Sequence, residues 1–487
     1  MDLVELASGN ILTGLTKYPG ISLLDPNANL IHSKCFYGDS VLVMGSIQPI
    51  SLDRFYFTTI YVKDSCSSLG STTIPFVLPA IGIMDTLGNI LELHHYSLNA
   101  GCTNPPGDLV VTNDGGAITW GRQDYFFALR VDSNLDPVWA KHFNHQGGVR
   151  FFKELPGGDL LAGFDMDTAG ACVARMDADG NFIWCKSYMR PSGGVHDAVV
   201  QSDSAFYITG YSGTTPSQLF LMKLDGQGSV QWCKGYEYGA DGWSAYHPSR
   251  IDTLPDGSFI FLATLGVNQF PYFGNPFLMK TDFNGDTIWT RSMEAAGYNY
   301  YTRDLLLSAD GGILFSGVVW GDLPGANSSM PYIFKTDSLG HFPCLERHQP
   351  ISVWNLFPTD SSFTLTSVDG AIKLPAYAND TVFDPLAVYD ACLVTSVAQR
   401  PTAHPGHRPR IRPNPTTGRF TVEFPDPLTV DSFWSLYDTT GRLLFQRPLK
   451  PGQQSEEIDL SRFGKGTYVV RITGPEGVCN ERVVVSP

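Results

Sequence analysis

The chain has 487 residues, of which 43% are hydrophobic, 12% aromatic and only 17% charged, with 49 glycines and 33 prolines. That mix fits an all-β protein rich in turns, and the length allows two to four domains. A net charge of −15 excludes the broad basic field of a general nucleic-acid or anionic-membrane binder.

At the start, "MDLVELASGNILTGL" reads as a strand, a Gly-Asn turn and a second strand, with no leader. Either a leader has been removed or the chain begins inside a longer precursor. There is no run of 18 apolar residues anywhere, so no transmembrane helix is expected.

A repeat runs through residues 1–345. "VARMDADGNFIWCKSY" (173–188) has relatives in "ALRVDSNLDPVWAKHF" (128–143), "LMKLDGQGSVQWCKGY" (221–236) and "LMKTDFNGDTIWTRSM" (278–293). Weaker copies lie at 22–36, 82–96 and 333–345. The shared aspartates are Asp25, Asp85, Asp132, Asp177, Asp225, Asp282 and Asp337, 45 to 60 residues apart. Between the copies lies a second element, as in "RIDTLPDGSFIFLA" (250–263) and "RDLLLSADGGILFSG" (303–317). Each unit reads strand, tight turn, strand, longer loop, strand, tight turn, strand. The D-G, G-G and G-N pairs supply the positive φ that short hairpins need. Four strands per unit at this period predict a β-propeller of seven blades over 1–345, with six or eight as alternatives.

Trp139, Trp184, Trp232 and Trp289 recur at one repeat position, and packing between sheets accounts for them. Their D-x-x-G-x-x-x-W spacing resembles that of quinone-cofactor propellers and their non-catalytic relatives. The Thr-Gly pair of that pattern is absent, so no quinone and no other cofactor is expected. "DADGN" (177–181) and "DFNGD" (282–286) carry the early residues of a calcium loop without its later glutamate. A turn in which aspartate caps its own backbone explains them, with a cation site as the alternative.

Blade topology puts the first and third connections of each unit at one end. The second connections and the crossovers fall at the other. The first set is tight. The second is long: 61–79, 265–276 and 318–331, with crossovers 237–249 and 292–302. The long loops thus define a candidate ligand face bearing Tyr238, Trp243, Tyr246, His247, Phe270, Tyr272, Phe273, Tyr298, Tyr300, Tyr301 and Trp320. Function gathers on loops held by a rigid scaffold, and such rings suit a glycan or protein partner. The plainer alternative is that several of them pin the loops to the scaffold.

No G-x-S-x-G, H-E-x-x-H or P-loop occurs. His94 and His95 are adjacent on a strand and face opposite ways. No catalytic residue and no metal ligand is assigned. A non-catalytic scaffold is expected, the alternative being a secreted carbohydrate-active hydrolase or lyase with its site on the long-loop face. The cysteine count is nine, so at least one thiol stays unpaired. Cys344 and Cys392 bracket one segment and are a candidate disulfide. Cys185 and Cys233, each following a repeat tryptophan, are small buried residues or a pair.

Residues 346–399 break the period and read as short strands of a bridge or stalk. A Pro- and Arg-rich linker (400–410) follows, extended and solvated. Residues 411–487 then read as a β-sandwich of about seven strands, immunoglobulin-like in class. Its landmarks are "PNPTTG" (Pro413, Asn414, Pro415 to Gly418), "LYDTTGRLL" (with Tyr437, Asp438, Gly441 and Arg442), "FGKGTYVVRI" (with Gly466 and Tyr468) and the closing "RVVV". In this order they resemble the C-terminal sorting domain of type IX secretion cargo in Gram-negative bacteria. Many such cargoes also carry propeller-like repeats. The resemblance implies passage through the periplasm, docking of the tail on the translocon and its removal by a surface sortase. The remainder would be anchored to surface lipopolysaccharide or released, as a monomer.

Overall fold

The computed structural model describes residues 2–15, 20–26, 29–37, 41–67, 73–98, 106–121, 126–143, 147–166, 170–188, 193–212, 218–238, 243–267, 274–293, 299–320, 329–342, 346–347, 351–362, 364–376, 379–382, 410–423, 432–437, 443–450, 452–460, 464–474 and 477–486. These residues form antiparallel sheets of three to five strands and no helix. None of them forms a helix long and apolar enough to cross a membrane. The chain divides into residues 1–388 and 389–487.

Among the described residues the first unit holds seven sheets, each built by consecutive strands. Their first strands are Leu3–Glu5, Val41–Pro49, Pro106–Val111, Gly147–Glu154, Gly193–Ser202, Trp243–Thr253 and Asn299–Leu307. First strands of successive sheets lie against one another, and Leu3–Glu5 lies against Asn299–Leu307, so the succession closes on itself. Apolar cores fill the gaps between neighbours. Trp120, Phe126, Phe152 and Phe164 lie in one of them, and Leu3, Ile11, Leu24 and Leu314 join the first sheet to the seventh.

The repeat motif has a specific job at each gap. The Trp184 indole N–H donates to the Gly226 carbonyl in the turn of the next sheet (3.0 Å), and Trp139 does the same to Ala178 (2.9 Å). Tyr188 Oη also reaches that next turn, donating to Gly228 O (2.5 Å). The turn glycines Gly180, Gly228, Gly285 and Gly340 each sit under the preceding tryptophan. A Cβ on Gly228 would fall 2.8 Å from the Trp184 ring, and one on Gly340 would fall 2.4 Å from Trp289. The aspartate of each turn folds it. Asp177 Oδ1 accepts from Asp179 N (3.0 Å) and Asn181 N (2.8 Å), while Oδ2 accepts from Asn181 Nδ2 (3.0 Å). Asp282 Oδ1 likewise accepts from Asn284 N and Asp286 N. These carboxylates cap their own backbone, the geometry that the turn reading requires.

The expected stalk is corrected. Residues 346–382 run backward around the first unit and add a fifth strand to six sheets in reverse order. Glu346–Arg347 pairs with Thr287–Met293 of the sixth sheet, Ile351–Leu356 with Val230–Tyr238 of the fifth, and Ser361–Ser362 with Phe182–Tyr188 of the fourth. Ser367–Asp369 pairs with Pro137–Phe143 of the third, Ala371–Pro375 with Ile90–Leu98 of the second, and Asn379–Val382 with Leu30–Tyr37 of the first. The physical reason is that the outer strand of each sheet presents a row of unpaired N–H and C=O groups, which an extended segment satisfies better than water-exposed isolation does. Two further expectations shift. The long connection 61–79 is mostly strand, Arg54–Ser67 paired with Thr73–Asp85. The crossover 237–249 is strand at both ends, with 239–242 outside the described residues. Cys185 and Cys233 are free buried thiols. Cys344 and Cys392 lie outside the described residues.

The second unit has a three-stranded sheet (Arg410–Arg412, Arg419–Glu423, Ser455–Asp459). Its other sheet is four-stranded, in the order Leu443–Leu449, Ser432–Tyr437, Gly466–Gly474, Gly477–Val485. Both contribute to one core that includes Phe420, Trp434, Leu436, Val470 and Val483.

The tryptophan-on-glycine contact can be tested against a matched control. Gly228 (φ +71°) and Gly257 (φ +81°) both occupy left-handed turns, but a Cβ on Gly257 meets nothing within 4 Å. Each alanine variant takes on left-handed strain of about 1–2 kcal/mol. Gly228→Ala should cost about 1–3 kcal/mol more, because the Trp184 ring must move. Calorimetric melting of the two variants side by side checks the difference.

Candidate functional site

Two arrangements carry the most polar chemistry: the meeting point of the first strands, and the ends of the tail. The first strands bring together charges from separate repeats. Arg250 Nη2 lies 3.1 Å from Asp108 Oδ2, a residue of the third sheet, and Arg250 Nε lies 3.2 Å from Asp304 Oδ1 of the seventh. Asp304 Oδ2 accepts from Leu3 N (2.8 Å) in the first sheet. Asp2 Oδ2 accepts from Ile47 N (3.0 Å) and from the Ser46 hydroxyl in the second. Lys153 of the fourth sheet pairs with Asp197 of the fifth (2.9 Å), whose other oxygen accepts from Ile251 N (3.2 Å) of the sixth. One polar cluster therefore draws on all seven sheets.

β-Bulges aim these side chains. The register shifts between Val195 and Asp197, between Pro248 and Arg250, and between Thr302 and Asp304, an extra residue on the first strand each time. Close second strands permit it: a Cβ on Gly317 would fall 1.9 Å from the Tyr301 carbonyl.

Burial and neighbouring charge split the titrations. Burial pushes the Asp2 carboxyl up to about 6, helped by the charges of Asp304 and Asp108. Burial also raises Asp252. At Asp108 burial acts upward too, but the Arg250 charge and hydrogen bond outweigh it and hold the carboxyl below the usual range. Burial opposes the charge on Arg250, yet Asp108, Asp304, Asp197 and Asp2 raise its pKa well above the ordinary value. These groups are engaged by one another and by backbone N–H donors. The arrangement cross-links strands. Sequence reasoning passed it over because its members are scattered over the chain. The available signal was a charged residue inside otherwise apolar first strands, as in "VRFFKE", "HDAVV", "SRIDT" and "TRDLL".

The aromatic residues assigned to the long-loop face separate. Tyr300 is buried, 5.1 Å centroid to centroid from Tyr332, and belongs to the core because strand alternation turns it inward. Tyr301 is half-buried and its hydroxyl accepts from Asn299 Nδ2 (3.2 Å). Trp320 is 48% exposed and pairs across the ladder with Asn299, so these three residues share one strand end. Tyr238, Trp243, Tyr246 and His247 sit in strands Val230–Tyr238 and Trp243–Thr253, their side chains outside the description. Tyr272, Tyr298, Phe270 and Phe273 lie outside the described residues. His95 is buried and His94 half-buried, the latter 2.7 Å from Glu92.

In the tail, the "PNPTTG" stretch clips onto the last strand. Asn414 Nδ2 donates to Arg482 O (2.6 Å), and Asn414 Oδ1 accepts from Val484 N (2.9 Å). Thr416 N donates to Val484 O and Ser486 N to Thr416 O, each at 2.8 Å. The asparagine amide thus acts as one more backbone unit. Pro413 and Pro415 flank it, exposed. Gly418 is buried with φ +132°. The Tyr468 hydroxyl donates to Gly464 O (3.1 Å), two residues before Gly466. Arg471 lies 5.2 Å from the Tyr437 ring centroid. Asp438, Gly441 and Arg442 lie outside the described residues.

These features define an all-β protein with a separate, self-clipped C-terminal unit. Residues 410–486 match the family model described as the secretion system C-terminal sorting domain, and that tail makes the chain a type IX secretion cargo. The tail implies export and an interaction with the type IX machinery. No curated protein matches the chain. Solved structures that match the chain include a Bacteroides caccae protein of unknown function (11% identity, TM-score 0.37, covering 58% of this chain and 92% of that one). Another is Kuenenia stuttgartiensis hydrazine synthase (10% identity, TM-score 0.31, 66% and 76%). A third is the extracellular domain of a protein described as a hybrid two-component system from B. thetaiotaomicron (11% identity, TM-score 0.31, 100% and 67%). At this distance no function transfers from them.

Two substitutions test the cluster. Arg250→Met leaves Asp108 and Asp304 without their cation and should cost about 3–5 kcal/mol in urea unfolding at pH 7. Asp2→Asn should act in the opposite direction. A folded pKa raised from 3.8 to about 6 means that the ionised carboxylate weakens the fold, with the penalty absent below pH 4 and complete above pH 6. The variant should gain on the order of 1–3 kcal/mol over the parent at pH 8 and nothing at pH 4.

Proposed function

We propose that the first unit is a seven-bladed β-propeller displayed at, or released from, the outer cell surface as a non-catalytic binding or adhesion scaffold. The tail is an immunoglobulin-like sandwich that serves as the translocation and surface-anchoring signal, read by the translocon and a surface sortase after passage through the periplasm. The observation that carries this reading is the tail. Asn414 and Thr416 join its opening stretch to its last strand, and the family match spans 77 residues (486 − 410 + 1) of it. The closed succession of seven sheets supports the propeller. Ion pairing of the central carboxylates favours a scaffold over a catalyst. Trp320, Tyr301 and Asn299 form the part of the long-loop face best suited to a glycan or protein ligand, combining an exposed ring with amide and hydroxyl groups.

Intact mass of the surface-fraction protein, expressed with a leader in a host that has type IX secretion, tests the reading. Loss of about 80–100 residues from the C-terminus is the expected result. Asn414→Ala removes both side-chain hydrogen bonds to the last strand, leaving the Thr416 backbone pair, and should lower the exported amount several-fold, while the folded first unit melts as in the parent. Normal export with the tail retained would overturn the sorting role.

A further inference from the structure

The backward-running segment 346–382 is fastened unevenly. Its ladders on the sixth, fourth and third sheets are two, two and three residues long. Each of these short ladders has an ion pair to the same repeat position, the residue two after the tryptophan. Arg291 Nη1 holds Glu346 Oε1 (2.9 Å), Lys186 Nζ holds Asp360 Oδ2 (2.8 Å) and Lys141 Nζ holds Asp369 Oδ1 (3.0 Å). The six-residue ladder on the fifth sheet uses other means. There the repeat cation Lys234 turns to Asp286, Trp354 Nε1 donates to Gln218 Oε1 (3.2 Å) and Leu356 packs against an inter-sheet core. On the second sheet the polarity is reversed, with Lys373 of the segment reaching Asp136 (3.0 Å).

Little apolar burial holds the segment elsewhere. Among its described residues Leu365 and Ala376 are the buried apolar side chains, while Phe357 is 88% and Ile372 57% exposed. Local opening is cheapest where ladders are short and burial is low. The strands beneath are full-length edges of seven to nine residues, and Ile183 and Ile288 on them are about half exposed. A bared edge of this kind accepts an extended chain by strand addition.

We propose that 346–382 is a clasp set in register by these repeat-position cations. It opens locally over the fourth sheet while that sheet stays folded. The bared edge Phe182–Tyr188 then accepts an extended peptide carrying a carboxylate positioned for Lys186. The clasp itself is the observed example of such a ligand, and its occupancy in cis keeps the edge closed.

Hydrogen exchange by mass spectrometry on the full chain tests the clasp. Asp360→Lys places two cations in contact and should speed exchange of 357–369 about five- to thirtyfold, the effect of losing a surface pair and adding repulsion. Strands Leu160–Met166 and Gly170–Met176, inside the same sheet, should keep the parent rate. Combining it with Lys186→Glu restores the pair with reversed sign and should return 357–369 to near the parent rate. Raising ionic strength to about 1 M, where the screening length is about 3 Å, should speed the parent segment and leave that charge-swapped chain equally salt-sensitive. Labelled peptide FPTDSSFTLTSVDG (residues 357–370) should bind the Asp360→Lys chain, and the same peptide with lysine for its aspartate at position 360 should not. An unchanged rate at 357–369, a rise shared by those two strands, or failure of the double variant to recover would overturn the clasp. No difference between the two peptides would overturn the carboxylate requirement.

Discussion

The first unit depends on a contact between neighbours: the tryptophan of one repeat sits on the turn glycine of the next. In D-x-x-G-x-x-x-W the two ends of the motif do not meet within one copy. The aspartate and glycine shape a turn, the tryptophan leaves the far side of its own sheet, and its ring and indole N–H settle on the following turn. Each repeat is therefore incomplete alone, because its ring lacks a floor and its turn lacks a roof. A donated hydrogen bond of about 1 kcal/mol, with a buried ring worth more, recurs around the succession and couples the sheets. One position shows the rule by exception. The second repeat has Glu92 at the position where the third to sixth have tryptophan, and the turn that follows it has Leu135 at the glycine position. Leu135 adopts φ +61° and is fully buried, its side chain in the space that a ring would otherwise fill.

Closure uses other chemistry. The first sheet reaches the seventh through Leu3 N to Asp304, and through Glu5, which accepts from the Ser308 hydroxyl and Ala309 N. Asp304 in turn holds Arg250, which holds Asp108. The first-to-seventh contact is thus wired to the polar cluster among the first strands. The outer rim is satisfied by the backward segment, which pairs edges on six sheets. Axis and rim are secured by residues far apart in the chain, 301 positions in the case of Leu3 and Asp304.

What could be read from the sequence follows from this division. The turns were legible because Asp177 and its counterparts act on residues two and four ahead, a local pattern. Four-strand units were legible because turn signals punctuate apolar runs. The backward segment was not, because "AIKLP" or "SVD" carries no mark of the edge it joins; its partner is 228 residues away at Lys141 and Asp369. Tyr300 was placed on the ligand face from loop position, while strand alternation turns it into the core beside Tyr332 and Phe334. Arg250 carried no signal of its partners, since its meaning comes from a bulge and two other sheets.

The tail follows the same logic on a smaller scale. Its opening stretch closes on its final strand through Asn414 and Thr416, so its end is stitched to its beginning. Its core draws on residues 411 to 485 alone. Among the described residues, the cores of the first unit use nothing beyond Ala376. The first unit keeps all six of its paired rim strands through Val382 when the chain is cut beyond that residue. Among the described residues, each unit therefore fills a core from its own stretch of the chain.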